Sequence, residues 1–335
     1  MKVLVTGSEG YVGAFVSAEL LSRGYSVVGL DNFSKYGPGV PAFGTHPGYR
    51  FVFGDAGDRK LLKSLLSECE YFIINAALTG GVPFLSQRPY DILAENERIT
   101  KAAFDAAIAV QSENPLKRVV LISSSAVYEN AQVIPTPESQ AETCPAPGTS
   151  YGLQKLCAEF YAKSAFMQYG LDYTIVRPFN VAGVVASMRP DDAEERYARS
   201  ASRSTHVIPQ LAQKILGGRN PLHILGDGSQ VRSFIHGRDL ALGIRLAMER
   251  LEASGHAFNL SSDQAVSIME LAGMLWQRLA PGRTMQIESG PTLAAEVRLR
   301  AADMAKAREL LGFRAETGID GILDEVALWA SGQGD

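Results

Sequence analysis

The chain lacks the raw material of several protein classes. Its three cysteines, Cys69, Cys144 and Cys157, are an odd number without CxxC spacing, which argues against a disulfide scaffold. Its five histidines never fall into HxxxH or HExxH, so the ligand spacing of a zinc site is missing and no metal is expected. Nowhere do the ~18 uninterrupted apolar residues of a membrane helix occur. Charge of one sign is missing too. Lys and Arg number 32 against 36 Asp and Glu, a net of −4 with no long single-sign run, so nothing draws the chain to nucleic acid or an anionic membrane. Small molecules or other protein surfaces are the expected partners. The N-terminal MKVLVTGSEGYVG turns to glycine too early for a signal h-region, and a cytoplasmic location is expected. What is present is ordinary globular composition: 46% hydrophobic and 20% charged over 335 residues, about twice the ~150-residue domain prior.

Apolar runs alternate with helical patterns along the first half. Residues 2–6 end in glycines, a helix follows over 11–23, and a second apolar run spans 25–30, which makes a βαβ unit. Strands near 50–53, 71–75, 118–123 and 173–176 alternate with helices near 58–67, 91–111 and from Tyr151. This alternation predicts an α/β fold with a Rossmann-like doubly wound parallel sheet, its ligands at the carboxyl ends of the strands. After Arg177-Pro178 the pattern changes. A polar stretch, Arg189–His206, precedes short strands near 222–225 and 231–235 and helices near 207–216, 239–251, 267–279 and 320–330. The expected division is a dinucleotide-binding domain over 1–177 and a smaller C-terminal α/β substrate-binding lobe over 178–335, with the chain crossing between them.

Gly7-Ser8-Glu9-Gly10-Tyr11-Val12-Gly13 lies between the first strand and first helix. Small residues there let the backbone approach a pyrophosphate, and the helix N-terminus attracts its charge. Asp31 stands eighteen residues after Gly13 at the end of the second strand, where a carboxylate accepts bonds from a ribose 2′-OH and repels a 2′-phosphate. Asn32 and Ser34 follow, and no Arg does, so the cofactor is expected to be NAD and not NADP. Tyr151 and Lys155 form YxxxK at a helix start, about 40° apart around the axis, with Leu153, Leu156, Cys157 and Phe160 roughly opposite. That spacing predicts an apolar stripe buried on one side and the phenol and ammonium turned to another. A cation beside a phenol favours the phenolate, so Tyr151 is the candidate general base. Ser123, Ser124 and Ser125 end a strand, where hydroxyls can hold a substrate oxygen or satisfy backbone groups. Gly148-Thr149-Ser150-Tyr151-Gly152 matches a GxSxG elbow, but Cys144-Pro145-Ala146-Pro147 cannot feed the strand such an elbow needs.

Together these motifs resemble the extended short-chain dehydrogenase/reductase family, within it the nucleotide-sugar epimerase/dehydratase branch. The resemblance implies Ser124, Tyr151 and Lys155 as catalytic residues. It places Asp55 and Ala56 against an adenine, Ala76 and Ala77 under the cofactor, and Asn96 in the helix after strand four. Arg177-Pro178-Phe179-Asn180 resembles an RPxN segment whose Asn touches the sugar nucleotide. Val207 begins a uridine-side helix, Arg232 within GDGSQVRSFIH binds pyrophosphate, and Ser124 and Ser125 face the substrate. Departures are informative: Ser125-Ala126 stand where dehydratases carry Asp-Glu, Glu129 and Ile99 replace family glycines, and Leu293 replaces a second pyrophosphate Arg, with Arg298 and Arg300 out of register. The implied activity is an NAD-dependent nucleoside-diphosphate-sugar 4-epimerase acting through a transient 4-keto sugar, its implied substrate a UDP-hexose or a UDP-N-acetylhexosamine or uronic acid. The alternatives are a net oxidoreductase on a 4-keto nucleotide sugar and a non-catalytic NAD-binding sensor. A homodimer paired through helices near 91–111 and 151–168 is implied as well. Aligned on Ala302-Asp303, Ala301 stands at the residue beside the sugar that sets its permitted size, and being small implies room for bulky sugars.

Overall fold

The computed structural model describes residues 1–38, 43–185, 207–291 and 297–332; the polar stretch 189–206 and Leu293 lie outside them. The chain begins β1 (Lys2–Thr6), α1 (Tyr11–Ser22), β2 (Ser26–Asp31), β3 (Tyr49–Phe53), α2 (Arg59–Leu66) and β4 (Tyr71–Ile74). It continues α3 (Val82–Gln87), α4 (Pro89–Val110), β5 (Arg118–Ile122), a 3₁₀ turn at Ser125–Tyr128, α5 (Gln140–Thr143), α6 (Ser150–Tyr169) and β6 (Tyr173–Pro178). The second half holds β7 (Val181–Ala182), α7 (Val207–Leu216), β8 (Leu222–Ile224), β9 (Val231–Ser233), β10 (Ile235–His236), α8 (Gly237–Glu249) and β11 (Ala257–Leu260). β12 (Ala265–Ser267), α9 (Ile268–Leu279), β13 (Ile287–Ser289), β14 (Leu299–Arg300) and α10 (Ile319–Ala330) complete it.

Seven strands form one parallel sheet in the order β11-β6-β5-β4-β1-β2-β3. Side chains alternate across a strand, so Val3 and Val5 of β1 enter one core with Phe15, Leu20, Ile244 and Phe258, beneath α1 and α8. Leu4 enters the other with Leu62, Phe72, Phe104 and Ala162, beneath α2, α4 and α6. β1 is flanked by β2 and β4, so the strand order reverses between β1 and β4, where a doubly wound sheet opens its ligand crevice. The residues beyond 178 do not stay in one lobe. α8 and β11 return to the large sheet, while α7, α9 and α10 bury Ile208, Leu211, Trp276 and Ile322 in a separate smaller core.

Local signals set the helix ends. Asp58 caps α2 by accepting from Lys60 and Leu61 N–H, and Ser267 with Glu270 makes a reciprocal capping box on α9. α1 has Gly10 at its cap and no side-chain cap bond, which leaves its N-terminal pole turned toward the crevice.

Candidate functional site

The glycine loop is built for close approach. Gly7 sits at φ +68, and a Cβ on it would lie 3.0 Å from Ala76 Cα. A Cβ on Gly13 would lie 1.9 Å from the Gly7 carbonyl oxygen, so no other residue allows this turn. Thr6 Oγ1 accepts from Asn75 N–H at 3.1 Å and Ala76 N–H at 3.2 Å, and Asn75 Nδ2 donates to Gly7 O at 3.1 Å. These bonds fasten Ala76 and Ala77 against the loop at the switch point. With the uncapped helix start behind it, the cradle has the shape and polarity that suit a pyrophosphate.

Asp31 ends β2 as expected. Its Oδ2 accepts from Glu9 N–H at 3.1 Å and its Oδ1 from Phe33 N–H at 2.7 Å, which orients the carboxylate on the rim of the cradle. Ser34 N–H bonds the Asn32 side chain at 3.0 Å, so Asn32 shapes the turn. Asp55 accepts from Gly57 N–H and from Arg98 Nη2. Burial alone would raise its pKa, but Gly57 N–H and the Arg98 guanidinium outweigh that and hold it below the usual carboxylate range. Ala56 is buried beside it. Asn96 is buried and spends both ends of its amide on Leu78, Oδ1 accepting from N–H at 2.6 Å and Nδ2 donating to O at 2.9 Å. It holds the segment after β4 in place, so any effect on a cofactor runs through that backbone.

Across the crevice, Ser124 and Tyr151 come from β5 and α6. Ser124 Oγ accepts from Ala126 N–H at 3.1 Å and caps the 3₁₀ turn that buries Ser125. Lys155 is buried, donates to Ile122 O at 2.9 Å and lies 5.9 Å from the centre of the Tyr151 ring. The structure therefore brings Ser124, Tyr151 and Lys155 to the carboxyl end of β5. Ser150 opens α6 behind the Thr149 cap, so the GxSxG match is a helix start and no elbow.

One expectation is corrected. α6 does not bury the stripe opposite Tyr151: Leu153 is 38% and Phe160 60% exposed, while Lys155, Ala158, Glu159 and Ala162 are buried. Small residues let α6 press closely on sheet and α4, its buried Glu159 pairs with Arg177 and its buried Lys155 donates to Ile122 O, so the apolar side is left facing outward. Ala301 carries an expectation that turns on strand register. Ala302 bridges Thr136 and packs on Val127, Tyr128 and Phe179. Alternation along this extended segment puts Ala301 on the other side and Arg300 on the site side, where it interacts electrostatically with Tyr151 and Glu129. Asn180 Nδ2 donates to Ser233 O at 2.8 Å, tying β6 to the smaller lobe. Val207 packs on that lobe's core as α7 begins, and Arg232 Nη1 donates to Val231 O at 2.9 Å.

Sequence reasoning missed what holds these residues. Glu129 accepts from Thr149 N–H at 3.0 Å and from the Thr149 hydroxyl, and that hydroxyl caps α6 through Gly152 N–H. The residue that replaces a family glycine thus fixes how the Tyr151 helix starts. Ile99, the other replacement, is core. Below the site, Glu159 accepts from Ser123 Oγ at 2.6 Å and from Arg177 Nε and Nη2 at 2.8 and 2.6 Å. Arg177 Nη1 donates to Tyr128 OH at 2.6 Å, which donates to Asn259 Oδ1 at 2.8 Å. Burial pushes the Tyr128 phenol above its ordinary value although Arg177 opposes this. The signal available in the sequence was Glu159 one turn beyond Lys155, on the same side of the helix.

A parallel sheet reversing at a glycine cradle, with Ser, Tyr and Lys gathered at the carboxyl end of β5, places the protein in the Rossmann class. The chain belongs to the NAD dependent epimerase/dehydratase family, whose model matches residues 3–261. It is 30% identical to a UDP-glucose 4-epimerase of Corynebacterium glutamicum, over 100% of this chain and 97% of the relative. It is 29% identical to a dTDP-4-dehydro-6-deoxy-D-allose reductase of Streptomyces sp, over 98% and 95%. Among solved structures, a UDP-N-acetylglucosamine 4-epimerase from Methanobrevibacter ruminantium M1, in complex with UDP-N-acetylmuramic acid, is similar with a TM-score of 0.83 and 26% identity, covering 99% of this chain and 98% of that one. Among the described residues no helix is long and apolar enough to cross a membrane, and no cluster of three His, Cys, Asp or Glu could hold a metal.

Proposed function

We propose that the protein is a nucleoside-diphosphate-sugar 4-epimerase, with a UDP-sugar as substrate and NAD as resident cofactor. The observation that carries this is Ser124, Tyr151 and buried Lys155 at one strand end, across the sheet's switch point from the cradle of Gly7, Gly10 and Gly13. The cradle fits a dinucleotide, because Gly7 and Gly13 let the loop fold against Ala76 and onto its own Gly7 carbonyl more tightly than any Cβ allows, the turn that brings backbone N–H groups and a helix start to a pyrophosphate. Gly7–Gly13 would hold the diphosphate, Asp31 a ribose, and Asp55 with Ala56 the adenine end. When bound, NAD supplies a hydride acceptor and donor for the sugar C4.

The chain's own residues handle the proton. Tyr151, as phenolate, takes the proton of the C4 hydroxyl and returns it when the keto sugar is reduced on its other face. Ser124 hydrogen-bonds the same oxygen, and Lys155 places positive charge beside the tyrosine ring. No acidic residue occupies Ser125 or Ala126, so elimination has no acid there. The names of the C. glutamicum and M. ruminantium relatives support a UDP-sugar. The Streptomyces reductase supports a second reading, net reduction of a 4-keto nucleotide sugar. We also infer a homodimer through α4 and α6, supported by the exposed apolar side chains of Leu153, Phe160 and Met167 on α6.

Incubation with UDP-, dTDP- and GDP-sugars without added cofactor, followed by NMR of the anomeric protons, tests the reading. A redox-neutral 4-epimer mixture is expected, and Tyr151→Phe should lower its rate by ~10²-fold or more, the scale of acid–base catalysis. Stoichiometric cofactor consumption would select the reductase reading. Undiminished turnover in Tyr151→Phe would remove Tyr151 as base.

A further inference from the structure

Arg300 has a place in the fold that the reading above leaves unused. β14 pairs parallel with β9, Arg300 opposite Arg232, so the two arginines leave their strands side by side on one face. Thr136 N–H donates to Ala301 O at 2.8 Å, and Asp303 N–H donates to Thr136 O at 3.0 Å. This clamp fixes the strand's rotation, with Ala302 on Tyr128 and Arg300 on the same side of the strand, within electrostatic range of Glu129 and Tyr151. Glu129 is already engaged by Thr149, and among the described residues no carboxylate forms an ion pair with Arg300. Its Nε is enclosed and has no acceptor among them. A guanidinium whose Nε is shut away from water without an acceptor carries a cost, and an anionic ligand reaching its remaining N–H groups would offset it.

We propose that Arg300 recognises a carboxylate carried on the sugar beside the reacting C4, so that the substrate is a nucleoside-diphosphate sugar acid. This rests on the epimerase reading, which puts C4 at Tyr151. Only substituents on the neighbours of C4 stay close to Tyr151: the C6 group on C5, or an acidic ether on the C3 oxygen. The diphosphate hangs from C1, across the ring, and falls to Arg232 on the adjoining strand. The planar fork of Arg matches a carboxylate with two parallel bonds, a geometry lysine cannot reproduce.

Wild type, Arg300→Leu and Arg300→Lys are compared on UDP-glucuronate, UDP-N-acetylmuramate, UDP-glucose and UDP-N-acetylglucosamine, by NMR turnover and by calorimetric binding. Wild type should favour one acid over its neutral counterpart, and the acid identifies whether the carboxylate sits on C5 or on the C3 oxygen. The acid-to-neutral ratio of kcat/KM should fall about a hundredfold in Arg300→Leu, with partial recovery in Arg300→Lys. An unchanged ratio would overturn the proposal. So would an equal loss on all four substrates with a displaced acidic limb of the pH–rate profile, which would assign Arg300 to Tyr151 instead. Binding separates the two readings. A preference for the acid that Arg300→Leu abolishes, without turnover in wild type, would keep this inference and remove the epimerase, whereas turnover without that preference would do the reverse.

Discussion

Glu159→Gln removes one charge from the centre of the network under the site and leaves its shape. Glu159 and Arg177 are each 1% exposed, so water cannot replace what is lost. The carboxylate serves three donors, Ser123 Oγ and Arg177 Nε on Oε1 and Arg177 Nη2 on Oε2. A glutamine amide can keep one acceptor oxygen only, and its NH₂ must face a donor whichever way it turns. Arg177 would remain a cation with Tyr128 OH, Glu138 O and at most the one amide oxygen as acceptors, and with no anion. Breaking such a buried pair costs about 3–5 kcal/mol, which for a chain of this size lowers Tm by roughly 4–7 °C. Urea unfolding followed by circular dichroism measures the loss. The double variant Glu159→Leu/Arg177→Met should recover most of it, because two apolar side chains leave no unpaired charge. Recovery will be incomplete, since Glu138 O loses its donor. A loss below about 1 kcal/mol in Glu159→Gln, or a double variant as unstable as the sum of its singles, would refute the claim that mutual pairing holds this network together.

Gly13→Ala should abolish retention of the dinucleotide on purification, because the Cβ falls 1.9 Å from Gly7 O and the cradle must open; mass spectrometry of the denatured supernatant reads this. Asp31→Ser should narrow the preference for NAD over NADP by about tenfold or more in calorimetric titration, since the carboxylate that repels a 2′-phosphate is gone; an unchanged ratio would exclude Asp31 from the ribose site. Glu325 accepts from Val184 N–H at 2.9 Å and Arg238 Nη2 at 2.8 Å and contacts His236 Nε2 at 2.7 Å. Burial alone would raise its pKa, but these partners hold it below its ordinary value of 4.5. A depressed carboxylate stabilises the fold above its unfolded pKa and loses that contribution as pH falls through the folded one. The urea midpoint should therefore decline below about pH 4.5, and Glu325→Gln should show a shallower decline over that range.

The cradle was legible because its constraints are local. Gly7 and Gly13 are read from adjacent residues, and Asp31 follows from the length of one helix and one strand. YxxxK was equally legible as a spacing on a helix, but its burial was not. Periodicity assumes that apolar side chains point inward. α6 breaks the assumption with Ala158, Ala162 and Ala165 inside and Leu153 and Phe160 outside, because alanines permit close packing and Glu159 meets Arg177 of β6.

What stayed hidden is held by contacts distant in sequence. Tyr128 reaches Asn259, and Asn259 Nδ2 donates in turn to Thr136 O at 2.9 Å and Asp303 O at 3.2 Å. One amide thereby joins the loop after β5, the edge strand β11 and the segment after β14. Aligning short motifs cannot report which side of that last segment faces the crevice, since a slip of one residue reverses every side chain of an extended strand. Ala301 and Arg300 differ by such a step, and under the proposed function they imply opposite things of the substrate: a small neutral wall in one case, a cation in the other. The pairing of Thr136 with Ala302 and of Arg300 with Arg232 decides between them. The chemistry of the proposed sugar site is therefore set by strand register, and the motif supplies only the segment on which that register acts.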